Sequence, residues 1–172
     1  MNAFKPELSN GAMMDIGIYT VYPMVVLFGR PEKIDASGVV LSTGTDGQGA
    51  INFTYGGMNA TVLYSKIANS SLPTEIQGEE GNITLDRINI IHNVSYTPRL
   101  APAMGKGPEP TAEDISAVTE KDEYYYEVAE FINLVLAGQR ESSVNTLESS
   151  LITLEIIDEV RRQLGIVYPA DR

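Results

Sequence analysis

From Gly11 to Gly29 the sequence GAMMDIGIYTVYPMVVLFG is apolar on nearly every side, too long for one strand and closed by glycine, which predicts a buried helix. Pro23 lacks the N–H that would bond the carbonyl of Tyr19, so a kink or tightened turn is expected there. From Lys33 to about Tyr96 the period drops to two and glycine punctuates the runs: EKIDASGVVLST, the turn GTDGQG, AINFTY, the turn GG, then MNATVLYSKI. Alternation sets Ile51, Phe53 and Tyr55 against Ala50, Asn52 and Thr54, and Thr61, Leu63 and Ser65 against Ala60, Val62 and Tyr64. PTEIQG and NITLDRINIIHNVSY flank the acidic turn Glu79-Glu80-Gly81 and extend the sheet to about six mostly antiparallel strands. The Pro/Gly-rich segment from Pro98 to Pro110 reads as an exposed loop. From about Glu120 the helical period returns, with Tyr124, Val128, Phe131, Ile132 and Val135 on one stripe and Gly138 to end it. A last helix carries the stripe Leu147, Leu151, Leu154, Ile157, Val160 and Leu164, with Asn145 and Glu148 resembling a capping box and Asp158 and Arg162 an i,i+4 pair. The expected fold class is α+β: a mostly antiparallel open sheet with helices packed on one face, in a single domain over residues 1–172.

Composition narrows the function. The chain has 172 residues, of which 43% are hydrophobic and 20% charged, an ordinary globular balance. Twelve Lys+Arg against 23 Asp+Glu give a net charge of −11, which repels phosphate backbones and anionic lipid, so neither nucleic acid nor a membrane surface is an expected partner. No cysteine and one histidine remove disulfides, thiolate chemistry and a zinc site. The apolar run from Ala12 to Phe28 is interrupted by Asp15 and Pro23 and falls short of the ~20 residues of a membrane span. No leader-peptide pattern opens the sequence, and the expected location is the cytoplasm.

Asp15 and Tyr19 are the candidate site. Four residues apart on one helix, their side chains share a face and reach the same small molecule. A carboxylate in an apolar helix is costly without partners, and a tyrosine hydroxyl passes a proton readily if a neighbouring cation makes it more acidic. The alternative is structural: Asp15 bonded to nearby backbone N–H groups and Tyr19 part of the core. His92 reads as a strand residue, Tyr124 to Tyr126 as core and rim of a helix, and Glu120 to Glu123 as a solvated first turn. GTDGQG fits neither the P-loop nor G-x-G-x-x-G, so no nucleotide fingerprint is present.

The stretch Gly11-Ala-Met-Met-Asp15-Ile-Gly17-Ile-Tyr19, followed by the apolar helix and Phe28-Gly29-Arg-Pro-Glu-Lys-Ile, resembles the start of the C-terminal domain of Gfo/Idh/MocA oxidoreductases. EIQGEEGNITLD resembles that family's sheet turn, and YYYEVAEFINLVLAG and SSVNTLESSLITLEIIDEVRRQLGIVYPAD its two closing helices. Tyr19, where most of the family has His, is similar to the dihydrodiol dehydrogenase branch. The resemblance implies an NAD(P)-dependent dehydrogenase acting on a sugar, polyol or diol-like substrate, with Tyr19 as catalytic proton donor or acceptor and Asp15 binding substrate. It implies that NAD or NADP is held mainly by an N-terminal Rossmann domain absent from this chain, together with the lysine of the family's Glu-Lys-Pro motif. The isolated chain is then inactive and pairs as a homodimer through its sheet face. A second reading is a non-enzymatic scaffold that dimerises through an open, mixed sheet face bearing Val62 and Tyr64.

Overall fold

The computed structural model describes residues 4–99 and 110–171. In chain order its elements are a π-helical turn Met13–Gly17, α1 (Ile18–Phe28), β1 (Lys33–Val40), β2 (Asp46–Tyr55), β3 (Met58–Ser65), β4 (Thr74–Gln77), β5 (Gly81–Leu85), β6 (Val94–Pro98), β7 (Glu113–Asp114), α2 (Glu123–Leu136) and α3 (Leu147–Leu164), with short 3-10 turns at Pro6–Leu8 and Pro169–Asp171. They gather into two compact units, residues 1–70 with 139–172, and residues 71–138. The fold is α+β, as expected, but the strands form two antiparallel sheets of three and four members rather than one of about six.

In the first unit β1, β2 and β3 form an antiparallel meander in which Ala36, Ile51 and Val62 stand in one row and Ile34, Phe53 and Ala60 in the next. Period-two alternation turns these residues to the covered face, where Ile51, Phe53 and Tyr64 are buried with Met13, Val21 and Val25 of the N-terminal helix and Ile156, Ile157 and Val160 of α3. Each such side chain contributes about 1.5–3 kcal/mol on leaving water, and together they fix which face the helices cover. Val62 and Tyr64 therefore point into the core, and the open face carries Asn52, Thr54, Thr61 and Leu63 instead.

The predicted N-terminal helix forms, and it continues through Pro23 to Gly29, whose φ of 73° suits glycine and whose N–H closes on Val25 O at 2.9 Å. Its irregularity lies earlier, in the π turn. The run Pro6–Phe28 spans 23 residues at mean hydropathy 1.5, enough in length and composition for a membrane span, yet Met13, Val21 and Val25 are spent on the core.

α3 departs from its expected details. Its N-cap is Thr146, which accepts from Ser149 N at 3.0 Å, not Asn145. The buried set is Thr153, Ile156, Ile157, Val160 and Arg161, while Leu147, Leu151 and Leu154 are exposed. Asp158 bonds Arg161 at 2.9 Å and Glu159 bonds Arg162 at 2.6 Å, so the ion pairs run i,i+3 rather than from Asp158 to Arg162.

In the second unit β4, β5, β6 and β7 pair in that order. The run NITLDRINIIHNVSY is not continuous strand: residues 86–93 form the loop between β5 and β6, and His92 lies in it. Asp86 holds that loop by accepting from Arg87 N (2.9 Å), His92 N (3.1 Å) and Asn93 Nδ2 (2.9 Å). α2 is capped by Asp122, which accepts from Tyr125 N at 2.9 Å, so the acidic run does open the helix. None of its side chains is buried, and Tyr124, Val128, Phe131, Ile132 and Val135 are exposed. Most of the expected 98–110 loop lies outside the described residues.

Candidate functional site

The π turn carries Asp15, and α1 begins just beyond it with Ile18 and Tyr19. Such turns are rare and are enriched at functional sites. Met13 N–H donates to Asp46 Oδ2 at 2.7 Å, and Asp15 N–H reaches Gly11 O at 3.2 Å. The turn is thus tied to the first residue of β2. Tyr19 is 54% exposed and the Asp15 side chain 50%, so both candidates stand at the surface rather than in the core. Tyr19 is therefore not part of the core, and the side-chain partner of Asp15 is Lys66 rather than a backbone N–H.

Lys66 completes the group. Its Nζ lies 2.7 Å from Asp15 Oδ2 and 3.2 Å from Asn10 Oδ1, and 5.2 Å from the centre of the Phe4 ring, with its side chain only 10% exposed. The sequence reading missed it, because a lysine at the end of a strand carries no local pattern that points to a helix turn far away in the chain. Asp46 was also missed, although a lone acid among the glycines of GTDGQG was the available signal.

Beneath the turn, Asp46, Tyr64 and Tyr168 form a buried polar cluster. Asp46 Oδ1 and the two phenolic hydroxyls face one another and Gly11 without well-aligned hydrogen bonds. Burial raises the Tyr64 hydroxyl well above the ordinary tyrosine range, and the Asp46 charge pushes the same way. Burial and then Asp46 also raise Tyr168. His92 and Tyr124 to Tyr126 belong to the other unit, and no group of three metal-binding side chains occurs among the described residues.

The turn before β2 spans only residues 41–45, closed by Leu41 N to Thr45 O at 2.8 Å and Gly44 N to Leu41 O at 2.9 Å, so the DGQG of GTDGQG is strand and its Asp46 is buried.

Comparison with known proteins gives the family and the fold. Residues 2–84 match the GFO/IDH/MocA C-terminal domain. All of the chain aligns, at 44% identity over 172 residues, with 50% of scyllo-inositol 2-dehydrogenase (NADP(+)) from Bacillus subtilis. The chain belongs to the GFO/IDH/MocA family. Trans-1,2-dihydrobenzene-1,2-diol dehydrogenase from Danio rerio is 33% identical over 174 residues, covering 98% of this chain and 51% of that protein. This GFO/IDH/MocA chain therefore spans about half the length of the curated relatives it matches. The aldose-aldose oxidoreductase of Caulobacter crescentus, complexed with glycerol, superposes with a TM-score of 0.74 at 17% identity over 96% of this chain and 49% of its own, which speaks for the fold.

Proposed function

We propose that this GFO/IDH/MocA domain is the substrate-binding half of an NAD(P)-dependent dehydrogenase acting on a neutral polyol or vicinal diol. The observation that carries the reading is that Asp15 of the π turn and Tyr19 at the start of α1 are both exposed, with Asp15 held by a near-buried cation. Two relatives are named for scyllo-inositol and for trans-1,2-dihydrobenzene-1,2-diol, both of which carry hydroxyls on adjacent carbons. A nicotinamide cofactor bound outside these residues would supply or accept the hydride. The chain's own residues handle the oxygen. In carbonyl reduction the Tyr19 hydroxyl donates its proton to the oxygen as the hydride reaches carbon, and in alcohol oxidation the proton returns to it. Asp15 accepts a hydrogen bond from a substrate hydroxyl and so fixes which carbon faces the hydride path. We further propose that the protein self-associates through the uncovered face of the β1–β3 sheet, where Val39 and Leu63 are exposed.

The test is Tyr19→Phe in the polypeptide that carries this sequence, assayed with scyllo-inositol or the dihydrodiol and NAD or NADP. Loss of a general acid–base group lowers kcat by about 10²–10⁴-fold, with KM moving far less. Unchanged turnover removes Tyr19 from the proton transfer.

A further inference from the structure

We propose that Lys66 is a positioning residue for the site: it holds the Asp15 carboxylate in one orientation, so that Oδ1 is left to receive a substrate hydroxyl beside Tyr19. This rests on the reading of Asp15 and Tyr19 given above and adds a residue to it.

The root of Lys66 is fixed before its side chain begins. It is the residue after β3, its N–H donates to Gly47 O at 2.9 Å, and Ser65 Oγ accepts from Ile67 N at 3.2 Å and Ala68 N at 2.8 Å, so the chain turns sharply just past it. From there the side chain runs under cover to Asn10 and Asp15, ending above the Phe4 ring. An ammonium withdrawn from water is costly unless it meets a counter-charge, and Asp15 Oδ2 at 2.7 Å supplies one.

The pair is asymmetric, and that asymmetry is the argument. The cation is 10% exposed while the carboxylate is 50% exposed, so the lysine is a fixed post and the aspartate a group that meets solvent. Oδ2 is spent on Lys66, and Oδ1 has no partner among the described residues. A free aspartate at the surface samples several rotamers, whereas one tethered through a single oxygen presents the other in a set direction. Asp46 at the start of β2 ties the backbone of the same π turn through Met13 N–H, so two neighbouring strand ends support it, one through the main chain and one through the Asp15 side chain.

The test is a double-mutant cycle on Lys66 and Asp15 in the full polypeptide, with scyllo-inositol and the dihydrodiol as probes. Lys66→Met keeps the length of the side chain and removes its charge. It lowers kcat/KM on the order of 10²-fold, the cost of misplacing a reacting group by about an ångström. In an Asp15→Asn background the same change costs less than about threefold, because the carboxylate it orients is gone. Lys66→Arg, which restores the cation with a different reach, recovers part of the loss. A merely structural lysine would lower Tm and cost the same in both backgrounds, and that additive result overturns the proposal. A silent Lys66→Met beside an impaired Asp15→Asn also overturns it and leaves the proposed function standing. If Asp15→Asn and Tyr19→Phe are themselves silent, the functional reading fails and the role of Lys66 falls with it.

Discussion

At Gly11 a single methyl group has nowhere to go. A Cβ built there would lie 2.1 Å from Asp46 Oδ1 and 2.4 Å from the Tyr168 hydroxyl, both in a buried cluster. Gly11→Ala therefore forces Asp46 off the Met13 N–H or Tyr168 out of its seat. Overpacking of this kind costs about 1–3 kcal/mol, to be read as a lower urea midpoint at unchanged slope. A variant as stable as the parent would show the cluster to be loose. The same residue illustrates what the sequence makes legible at this scale. Asp15 and Tyr19 could be singled out because helical spacing links them within one expected element, which the structure divides between the π turn and α1. Lys66, Asp46 and Tyr168 were not, because they reach the same turn through β3, β2 and the C-terminal tail, and no local period links those segments.

Among elements, the loop of residues 86–93 is the place where chemistry overrode pattern. An apolar run, INIIH, reads as strand, but Asp86 offers its carboxylate to N–H groups on both sides of the loop and competes with ladder pairing. Against a desolvation cost, the bonds from His92, Asn93 and Arg87 bring Asp86 down to about 2. A carboxylate depressed on folding adds stability that is fully present above its unfolded value near 3.9 and is lost as pH falls through the folded value. The loop therefore keeps its form at pH 5 and releases between about pH 4 and pH 2. A carbon-detected NMR titration of Asp86, followed together with the His92 amide shift, should give one shared midpoint near 2. A midpoint near 4 would mean that these hydrogen bonds are absent in solution. α3 teaches the complementary lesson. Its helical period was plain, and Ile157 and Val160 of the expected stripe are buried, yet leucines at 147, 151 and 154 are exposed while Thr153 and Ile156 are buried instead. Periodicity identifies an apolar helix, but the rotation that seats it depends on the sheet it meets, here Ile34 and Ala36 of β1 and Phe53 of β2.

For the whole molecule, the question is what the uncovered side of the first sheet does. Rows Asp35–Asn52–Thr61 and Ser37–Ala50–Leu63 cross the strands on that side, polar groups alternating with a few apolar ones. Such a face is too polar for a core and carries enough apolar surface, at Val39 and Leu63, to gain from a partner. Two copies meeting there would each bring a net charge of −11, so association works against repulsion. The expected behaviour follows from both terms: sedimentation at micromolar concentration gives twice the mass of one polypeptide, and raising salt from 0.01 M to roughly 0.15 M tightens the dimer as the Debye length shrinks from about 30 to 8 Å. Leu63→Lys adds a charge in the middle of the face and shifts the protein to monomer without lowering Tm, since Leu63 makes no part of the core. A wild-type protein that sediments as monomer at both salt concentrations would leave this face to solvent, and the Asp15–Tyr19–Lys66 turn would then have to work within a single copy.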